Sequence, residues 1–381
     1  MARYAIFSAF YLPHLGGIEQ FTDSLARELV ADGNVVDIVT SRLSDSPERE
    51  VLCEGLTVWR LPCWLTLNGR FPIPKKNHAY RRMIRDLSRK TFDGFLVNAR
   101  YYGLSLEGLK LARTLTVPVV VLDHSSFFIG FGIPAIDGLV HAYERFVTER
   151  IKTYHPAFCG VSEKSVEWLR TFGITARGVI HNAIDAESFL KRASARNYRG
   201  ELGLASDTFI IVYTGRLVGS KGVDIFLEVA RRFESTGHSG LRFLIAGDGE
   251  LREKYEAEAP GNAVFLGRLS REDVSSLLQQ SNAFCFPSKY PEGLPTSLLE
   301  AAACGLPIVI SDVGGAREVI PEQQFGIVID AATPEKVYEG LLRYVEDSGY
   351  AQSVGEAVQH RVATEFSWEK TAASFKAALI P

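Results

Sequence analysis

The sequence has little cysteine, and none of it is placed for metal or disulfide chemistry. Cys53, Cys63, Cys159, Cys285 and Cys304 are odd in number, widely spread and form no CxxC pair. That pattern excludes a disulfide framework and a thiolate zinc site, and it points to a reduced, cytoplasmic setting. No run of about 18 uncharged apolar residues occurs, so no transmembrane helix is expected. The nearest stretch, 117–140, is interrupted by Asp123, His124 and Asp137. The net charge of −3 carries no basic excess, so no nucleic-acid partner is expected. The opening "MARYAIFSAFYLP" meets Pro13 and His14 without a small-residue cleavage site, and it reads as a first buried strand rather than a leader. There is no short-period repeat and no low-complexity tract.

What is present is the balance of a globular chain. The 381 residues are 46% hydrophobic and 23% charged, which fits two domains. Short β-branched and aromatic runs alternate with helical patterns. In the first half they are "RYAIFSAF", "VVDIVT", "TVWRL", "GFLVN", "VPVVVLD", "AFCGV" and "GVIH". In the second half they are "FIIVYTG", "LRFLIAG", "AVFLG", "AFCFPS", "PIVIS" and "FGIVI". Continuous apolar strands between amphipathic helices imply α/β domains with parallel, doubly wound sheets covered on both faces. Ligands are then expected beyond the carboxyl ends of the strands. The polar stretch 185–209 lacks strand signal until Phe209, and the domain boundary is expected there, between 1–186 and 187–365.

Five segments carry candidate chemistry. In "YLPHLGGIEQFTDSLARELV", Gly16 and Gly17 precede a helix with apolar Ile18, Phe21, Leu25 and Leu29. They either let a ligand approach a helix start that favours anions or simply make a tight turn. No GxGxxG follows the strand, so this is not the dinucleotide fingerprint. In "TGRLVGSKG", Arg216 and Lys221 flank Gly219 after a strand, where they either clamp a diphosphate or are solvated loop cations. In "YPEGLPTSLLEAAACG", Pro295 suits a first helical position and the amides around Gly293, Leu294, Thr296 and Ser297 face a positive dipole end. Glu292 before that helix and Glu300 inside it are either a dipole partner and a surface charge or hydrogen-bond acceptors for sugar and ribose hydroxyls. The small run Ala301 to Ala303 beside Glu300 looks packed, and carboxylates are seldom buried without a partner. His124 ends the strand of "VLDHSSFF", in a structural or a ligand role. Residues 67–90 hold eight Lys or Arg against Asp86, with Tyr80, Met83, Ile84 and Leu87 at helical spacing and Trp64, Leu65 and Leu67 upstream. That is either a basic amphipathic surface for anionic lipid or the solvated side of an ordinary helix.

Taken together, these motifs resemble the retaining family-4 glycosyltransferases of GT-B fold. The resemblance also runs through "GVSEKSVEWL", "HNAID", "IAGDGELR", "FLGRLSREDV", "LPIVISDVGGAREVI" and "FSWEKTA". It implies two Rossmann-like domains facing across a cleft, an acceptor-side one (1–186) and a nucleotide-sugar-binding one (187–365), with a C-terminal helix (366–381) packing back on the first. It implies that Arg216 and Lys221 hold a donor diphosphate and that Glu300 binds ribose. Glu292, with the turn Gly293, Leu294, Pro295 and Thr296, would hold the donor sugar and distal phosphate. Arg268 would lie in the loop around the base. Gly17 would approach the diphosphate, and Gly16, Gly17 and His124 would face the acceptor side, with His124 also at the donor sugar. Ala183 stands where glycine is common in the "HNAID" motif, which touches a backbone detail only.

The activity implied is hexosyl or N-acetylhexosaminyl transfer from a nucleotide-diphosphate sugar, UDP by family habit, to an acceptor hydroxyl. Arg216, Lys221, Glu292 and His124 would carry it. No DxD triplet occurs, so no cofactor and no metal are expected. The basic segment 64–90 suggests a glycan or lipid-linked acceptor in bacterial-type polysaccharide or glycoconjugate assembly, on a cytoplasmic protein peripheral to the inner face of the plasma membrane. A nucleotide-sugar epimerase of the same fold and a non-catalytic nucleotide-sugar-binding scaffold are the alternatives.

Overall fold

The computed structural model describes residues 1–14, 16–43, 46–66, 69, 71–128, 130 and 134–380, with backbone alone at 134–136. Leu67, Asn68 and Arg70 of the basic segment and Pro381 of the closing segment lie outside the described residues. The chain forms two compact units, one of residues 1–182 with 368–381 and one of 183–367.

Unit 1 is built on an eight-stranded sheet. Its strands are β1 (Arg3–Phe7), β2 (Val35–Ser41), β3 (Arg49–Cys53), β4 (Leu56–Leu61), β7 (Gly94–Asn98), β8 (Val119–Asp123), β9 (Ala157–Gly160) and β10 (Gly178–Val179). The order is β10-β9-β8-β7-β1-β2-β4-β3, parallel except for β3. A separate antiparallel hairpin joins β5 (Cys63–Thr66) to β6 (Phe71–Pro74). The helices are α1 (Gly17–Ala31), α2 (His78–Ser88), α3 (Gly103–Leu115), α4 (Pro134–Lys152), α5 (Glu163–Arg170) and the closing helix Trp368–Leu379. Strand β1 has β2 on one side and β7 on the other, so the strand order reverses there, which is where open α/β sheets bind ligands. Phe21, Leu25 and Leu29 of α1 are buried with Phe375 of the closing helix.

Unit 2 carries a six-stranded parallel sheet in the order β13-β12-β11-β14-β15-β16. Its strands are β11 (Phe209–Thr214), β12 (Leu241–Ala246), β13 (Ala263–Gly267), β14 (Ala283–Phe286), β15 (Ile308–Ser311) and β16 (Ile327–Ile329). Its helices are α6 (Ala186–Lys191), α7 (Tyr198–Glu201), α8 (Val223–Ser235), α9 (Arg252–Ala257), α10 (Arg271–Gln279), α11 (Thr296–Ala303), α12 (Ala316–Val319), α13 (Pro334–Glu346) and α14 (Ser348–Glu365). Here the order reverses at β11, between β12 and β14.

Two expectations change. The stretch 185–209 is not a connector. Phe189 and Tyr198 are buried in the core of unit 2. The Tyr198 amide donates to Gln280 Oε1 at 2.8 Å, and Ser275 donates to the Phe189 carbonyl at 2.7 Å. The division therefore precedes this stretch, and Phe366, expected with the closing helix, is buried in unit 2 as well. The basic helix α2 does not offer its apolar stripe to lipid: Tyr80, Met83 and Leu87 are buried in unit 1. Among the described residues no helix is long and apolar enough to cross a membrane.

Candidate active site

In unit 2 the loops that follow β11 and β14 converge at the point where the strand order reverses. After β11 the chain passes Arg216, which is exposed, makes a single 3-10 turn at Gly219–Lys221, and enters α8 through Gly222. Gly222 has φ +71°, and a β-carbon there would meet the Pro287 carbonyl oxygen at 1.8 Å. Only glycine therefore lets the two loops lie this close. The Lys289 amide donates to the Ser220 carbonyl at 2.9 Å, which ties the loops together. Lys221 Nζ then reaches Glu292 Oε1 at 2.5 Å, and Ser288 Oγ donates to the same oxygen at 3.0 Å. Both members of the pair keep 16% of their side-chain exposure, so the pair is shielded but reachable. Lys221 also stands 5.5 Å over the ring of Phe286, and the Phe286 ring stacks on Tyr213. The Tyr213 phenol is held well above its ordinary range by burial, with further upward pressure from Glu292 opposed by Arg216.

Pro295 is the N-cap of α11 rather than its first helical residue, and no side chain caps this helix. Its first amides therefore face the turn after Glu292 without an internal acceptor from a cap. That turn is braced from behind by Gly314, at φ +49°, where a β-carbon would meet the Gly293 carbonyl oxygen at 1.8 Å. The Gly315 amide donates to the same carbonyl at 2.8 Å. Leu294 is buried below. Thr214 and Ser311, at the ends of β11 and β15, have buried hydroxyls with no partner among the described residues.

The carboxylate of Glu300, one turn into α11, makes no hydrogen bond or ion pair with a described residue. It keeps some contact with solvent, yet loss of hydration pushes its carboxyl up to about 7, against a weaker downward pull from Arg271. A half-buried carboxylate without a donor is poised to accept hydrogen bonds from a ligand. The raised value means that the fold binds this proton more tightly than the unfolded chain does. The associated stability is intact below about pH 4.5 and is lost as pH rises through about 7. Glu300→Gln is therefore expected to melt at a higher temperature than the parent above pH 7 and at the same temperature near pH 4. Thermal melts of ligand-free protein across that range check this. Arg268 is exposed after β13, where the Gly267 carbonyl accepts from the Gly247 amide at 2.8 Å.

In unit 1, His124 follows β8. Its Nε2 lies 3.0 Å from Asn98 Oδ1, and its ring meets Phe21 edge-on at 4.9 Å. Asn98 Nδ2 donates to Thr22 Oγ1 at 2.9 Å, and Thr22 donates to the Ile18 carbonyl at 2.7 Å. With the amide oriented this way, Asn98 Oδ1 accepts from His124 Nε2–H, which leaves Nδ1 as an acceptor. Burial pushes the imidazole down to about 3, so it is neutral near pH 7. Gly16, the N-cap of α1, is in extended backbone, and a β-carbon there would displace the tip of the Glu19 side chain. Glu19 is buried and bonded to His14 Nδ1 at 3.0 Å, so the anion at this helix start is the chain's own. Gly17 begins α1.

Sequence reasoning passed over several residues. Ala99 adopts φ +61°, an uncommon conformation for alanine. It is held by its amide donating to the Leu122 carbonyl at 2.8 Å and by its carbonyl accepting from Ser105 Oγ at 2.6 Å. The turn places Asn98 against His124 and sends the fully buried Arg100 between Asp123 and Glu144. Arg100 also lies 4.1 Å from the ring of Phe172. Burial drives the Asp123 carboxyl above its usual range despite Arg100. Only the "GG" of "DVGGAR" offered a signal for the brace at Gly314; nothing local marked Asn98, Arg100 or Ser288.

Comparison with known proteins agrees with this layout. Residues 15–188 match Glycosyltransferase Family 4, and residues 194–361 match Glycosyl transferases group 1. With these matches and the two parallel sheets, the chain is a family-4-like glycosyltransferase of the GT-B fold. It is 22% identical to an uncharacterized glycosyltransferase of Methanocaldococcus jannaschii over 98% of this chain and 97% of that one. It is 26% identical to one subunit of human phosphatidylinositol N-acetylglucosaminyltransferase over 96% of this chain and 73% of that one. Among solved structures it resembles sucrose-phosphate synthase from Thermosynechococcus elongatus, with TM-score 0.76, 18% identity and coverage of 99% and 98% of the two chains. It also resembles Anabaena HepE solved with UDP and glucose, with TM-score 0.74, 15% identity and coverage of 100% and 99%.

Proposed function

We infer that the protein transfers a hexosyl or N-acetylhexosaminyl group from a UDP-sugar to an acceptor hydroxyl, with retention at the anomeric carbon and without a metal. The carrying observation is the convergence in unit 2 of Arg216, the Lys221–Glu292 pair, the uncapped start of α11 and the partnerless Glu300. In this reading the diphosphate takes Lys221 from Glu292. Arg216, Lys221 and the α11 amides then stabilise the negative charge that grows as the bond from the anomeric carbon to the diphosphate oxygen breaks. Glu292, released by Lys221, accepts from the sugar hydroxyls, the amides of Gly293, Leu294 and Thr296 donate to the sugar and the distal phosphate, and Glu300 accepts from the ribose. The C–O bond to the acceptor forms on the face the diphosphate leaves, and the acceptor's proton passes to that leaving phosphate. Neutral His124 of unit 1 accepts from a substrate hydroxyl. Both carboxylates are engaged in binding, so neither serves as the nucleophile that retaining glycosidases use.

The human relative, named for phosphatidylinositol, supports a lipid-linked acceptor in glycoconjugate or polysaccharide assembly, and the Anabaena complex with UDP and glucose supports the donor. The reading places the enzyme in the cytoplasm, in peripheral contact with the membrane's inner face. One assay tests the reading: UDP-sugars incubated with the protein and a lipid acceptor in EDTA, with the product anomer read by NMR. Transfer with retention in EDTA is expected. Activity lost in EDTA and restored by Mg²⁺ would remove metal independence. Donor epimerised without acceptor would favour the epimerase, and an untouched donor that nonetheless binds would favour the scaffold.

A further inference from the structure

Two polar side chains in the interior of unit 1 have no part in the reaction as described so far. Thr22, in the second turn of α1, is 0% exposed, and Asn98, the last residue of β7, is 1% exposed. Such burial costs stability unless every donor meets an acceptor. Here the direction of each bond follows from one atom that can only accept, the Ile18 carbonyl oxygen. Thr22 Oγ1 lies 2.7 Å from it, so the single hydroxyl hydrogen is used there. Towards its other neighbour the hydroxyl can only accept, and the Asn98 atom 2.9 Å away is therefore the amide nitrogen. That turns the Asn98 side-chain oxygen to His124, 3.0 Å from Nε2. A carbonyl oxygen accepts, so Nε2 carries the ring hydrogen and Nδ1 keeps a lone pair. With the amide reversed, its oxygen would face the Thr22 oxygen with no hydrogen between them. In the interior that disfavours the reversed arrangement by about tenfold or more.

The ring itself is held from the side. Phe21 meets it edge-on at 4.9 Å, and Phe21 in turn lies 5.6 Å from Trp368 of the closing helix. Thr22 and Asn98 are buried, whereas His124 is half-buried, so the ring is where this chain of bonds reaches a ligand. Among the described residues Nδ1 has no hydrogen-bond partner. Glu19 and Asp23 of α1 and Asp123 of β8 are engaged by His14, Arg27 and Arg100, and none of them bonds to the ring.

We propose that Thr22 and Asn98 are positioning residues, which lock His124 in the Nε2–H tautomer and so present Nδ1 to the substrate as an acceptor. The lock begins at the Ile18 carbonyl and passes through two side chains that touch no ligand. A neutral ring free to exchange tautomers would offer Nδ1 as an acceptor for only part of the time, and its productive contacts would fall by that fraction. The locked ring takes a hydrogen bond from a hydroxyl and has no hydrogen at Nδ1 to give to an anionic oxygen. That His124 meets a substrate hydroxyl rests on the transferase reading; the locked tautomer does not.

Nitrogen-15 NMR of the histidine-labelled full chain near pH 7 reads the tautomer directly, with the His124 signals assigned by their loss in His124→Gln. The parent is expected to show Nε2–H and a bare Nδ1. Thr22→Val keeps the shape of the side chain and removes the hydroxyl, so the Asn98 amide loses its direction and the ring should populate both tautomers. Thr22→Ser keeps the hydroxyl and removes a methyl group, so it should hold the parent tautomer. Turnover of a UDP-sugar should follow the same order, with kcat down about tenfold in Thr22→Val and severalfold higher in Thr22→Ser than in Thr22→Val. The dissociation constant for UDP should not move in either. A side chain that only fills space predicts the opposite order, because serine leaves a cavity where valine does not. A parent ring with its hydrogen on Nδ1, a Thr22→Val ring locked like the parent's, or a Thr22→Ser variant slower than Thr22→Val would each overturn the proposal. Should Thr22→Val fail to fold, an Nδ1–H ring in the parent or in Thr22→Ser still overturns it. If the tautomers respond as expected while no UDP-sugar reacts, the lock stands and the transferase reading falls.

Discussion

Arg216→Ala is expected to lower turnover by about a hundredfold to a thousandfold while leaving stability within about 0.5 kcal/mol of the parent. Arg216 is exposed beyond β11, so its removal uncovers no core and leaves no buried charge unpaired. In the proposed reaction it acts only as the diphosphate departs, so the loss should fall on kcat more than on donor binding. Lys221→Ala should cost activity of the same order for a mixed reason. It removes a phosphate ligand, and it also takes the ammonium at 2.5 Å from Glu292, which keeps the Ser288 hydroxyl. Its expected signature is therefore a fall in both kcat and melting temperature. Steady-state kinetics with a UDP-sugar, alongside thermal melts of both variants, separates the two. Parent-like transfer rates in both variants would end the idea of a cationic clamp.

Arg100→Ala is expected to have the largest effect on folding, about 3–5 kcal/mol, because it takes the guanidinium from between the buried carboxylates of Asp123 and Glu144. That is a large part of the roughly 5–15 kcal/mol that holds a domain folded. Arg100→Lys should recover little, since an ammonium cannot reproduce the planar fork that meets two carboxylates at once. Asp123 adjoins His124, so in the proposed reaction any folded fraction should also turn over more slowly. Urea unfolding of the two variants measures the loss. A change near zero would mean that solvent or a shift in the protonation of Asp123 already compensates the pair.

The strands of both main sheets other than β3 were legible because most lie buried between helices, and such segments read as continuous apolar runs. The hairpin 63–74 and strand β3 were not. Their residues alternate between exposed and half-buried or sit beside Pro72 and Pro74, and only their pairing makes them strands. The stripe of Tyr80, Met83 and Leu87 was legible as a helix face, but nothing local says whether such a face meets lipid or core.

Within the candidate site, "EGLPTSLLEAAACG" marked a helix start and a carboxylate in a packed neighbourhood, because both depend on residues a few positions apart. The meeting of Lys221 with Glu292 joins residues 71 positions apart, and Arg100 meets carboxylates 23 and 44 positions away. Sequence by itself determined the class of fold, the order of its elements and the segments that carry charge beyond the strands, since hydrophobic periodicity and turn chemistry act locally. Tertiary structure alone decided which charges pair, which glycines stand guard over a close approach, and which apolar faces remain outside. Those outcomes follow from which strand ends lie side by side, and strand order is set by the packing of the whole sheet.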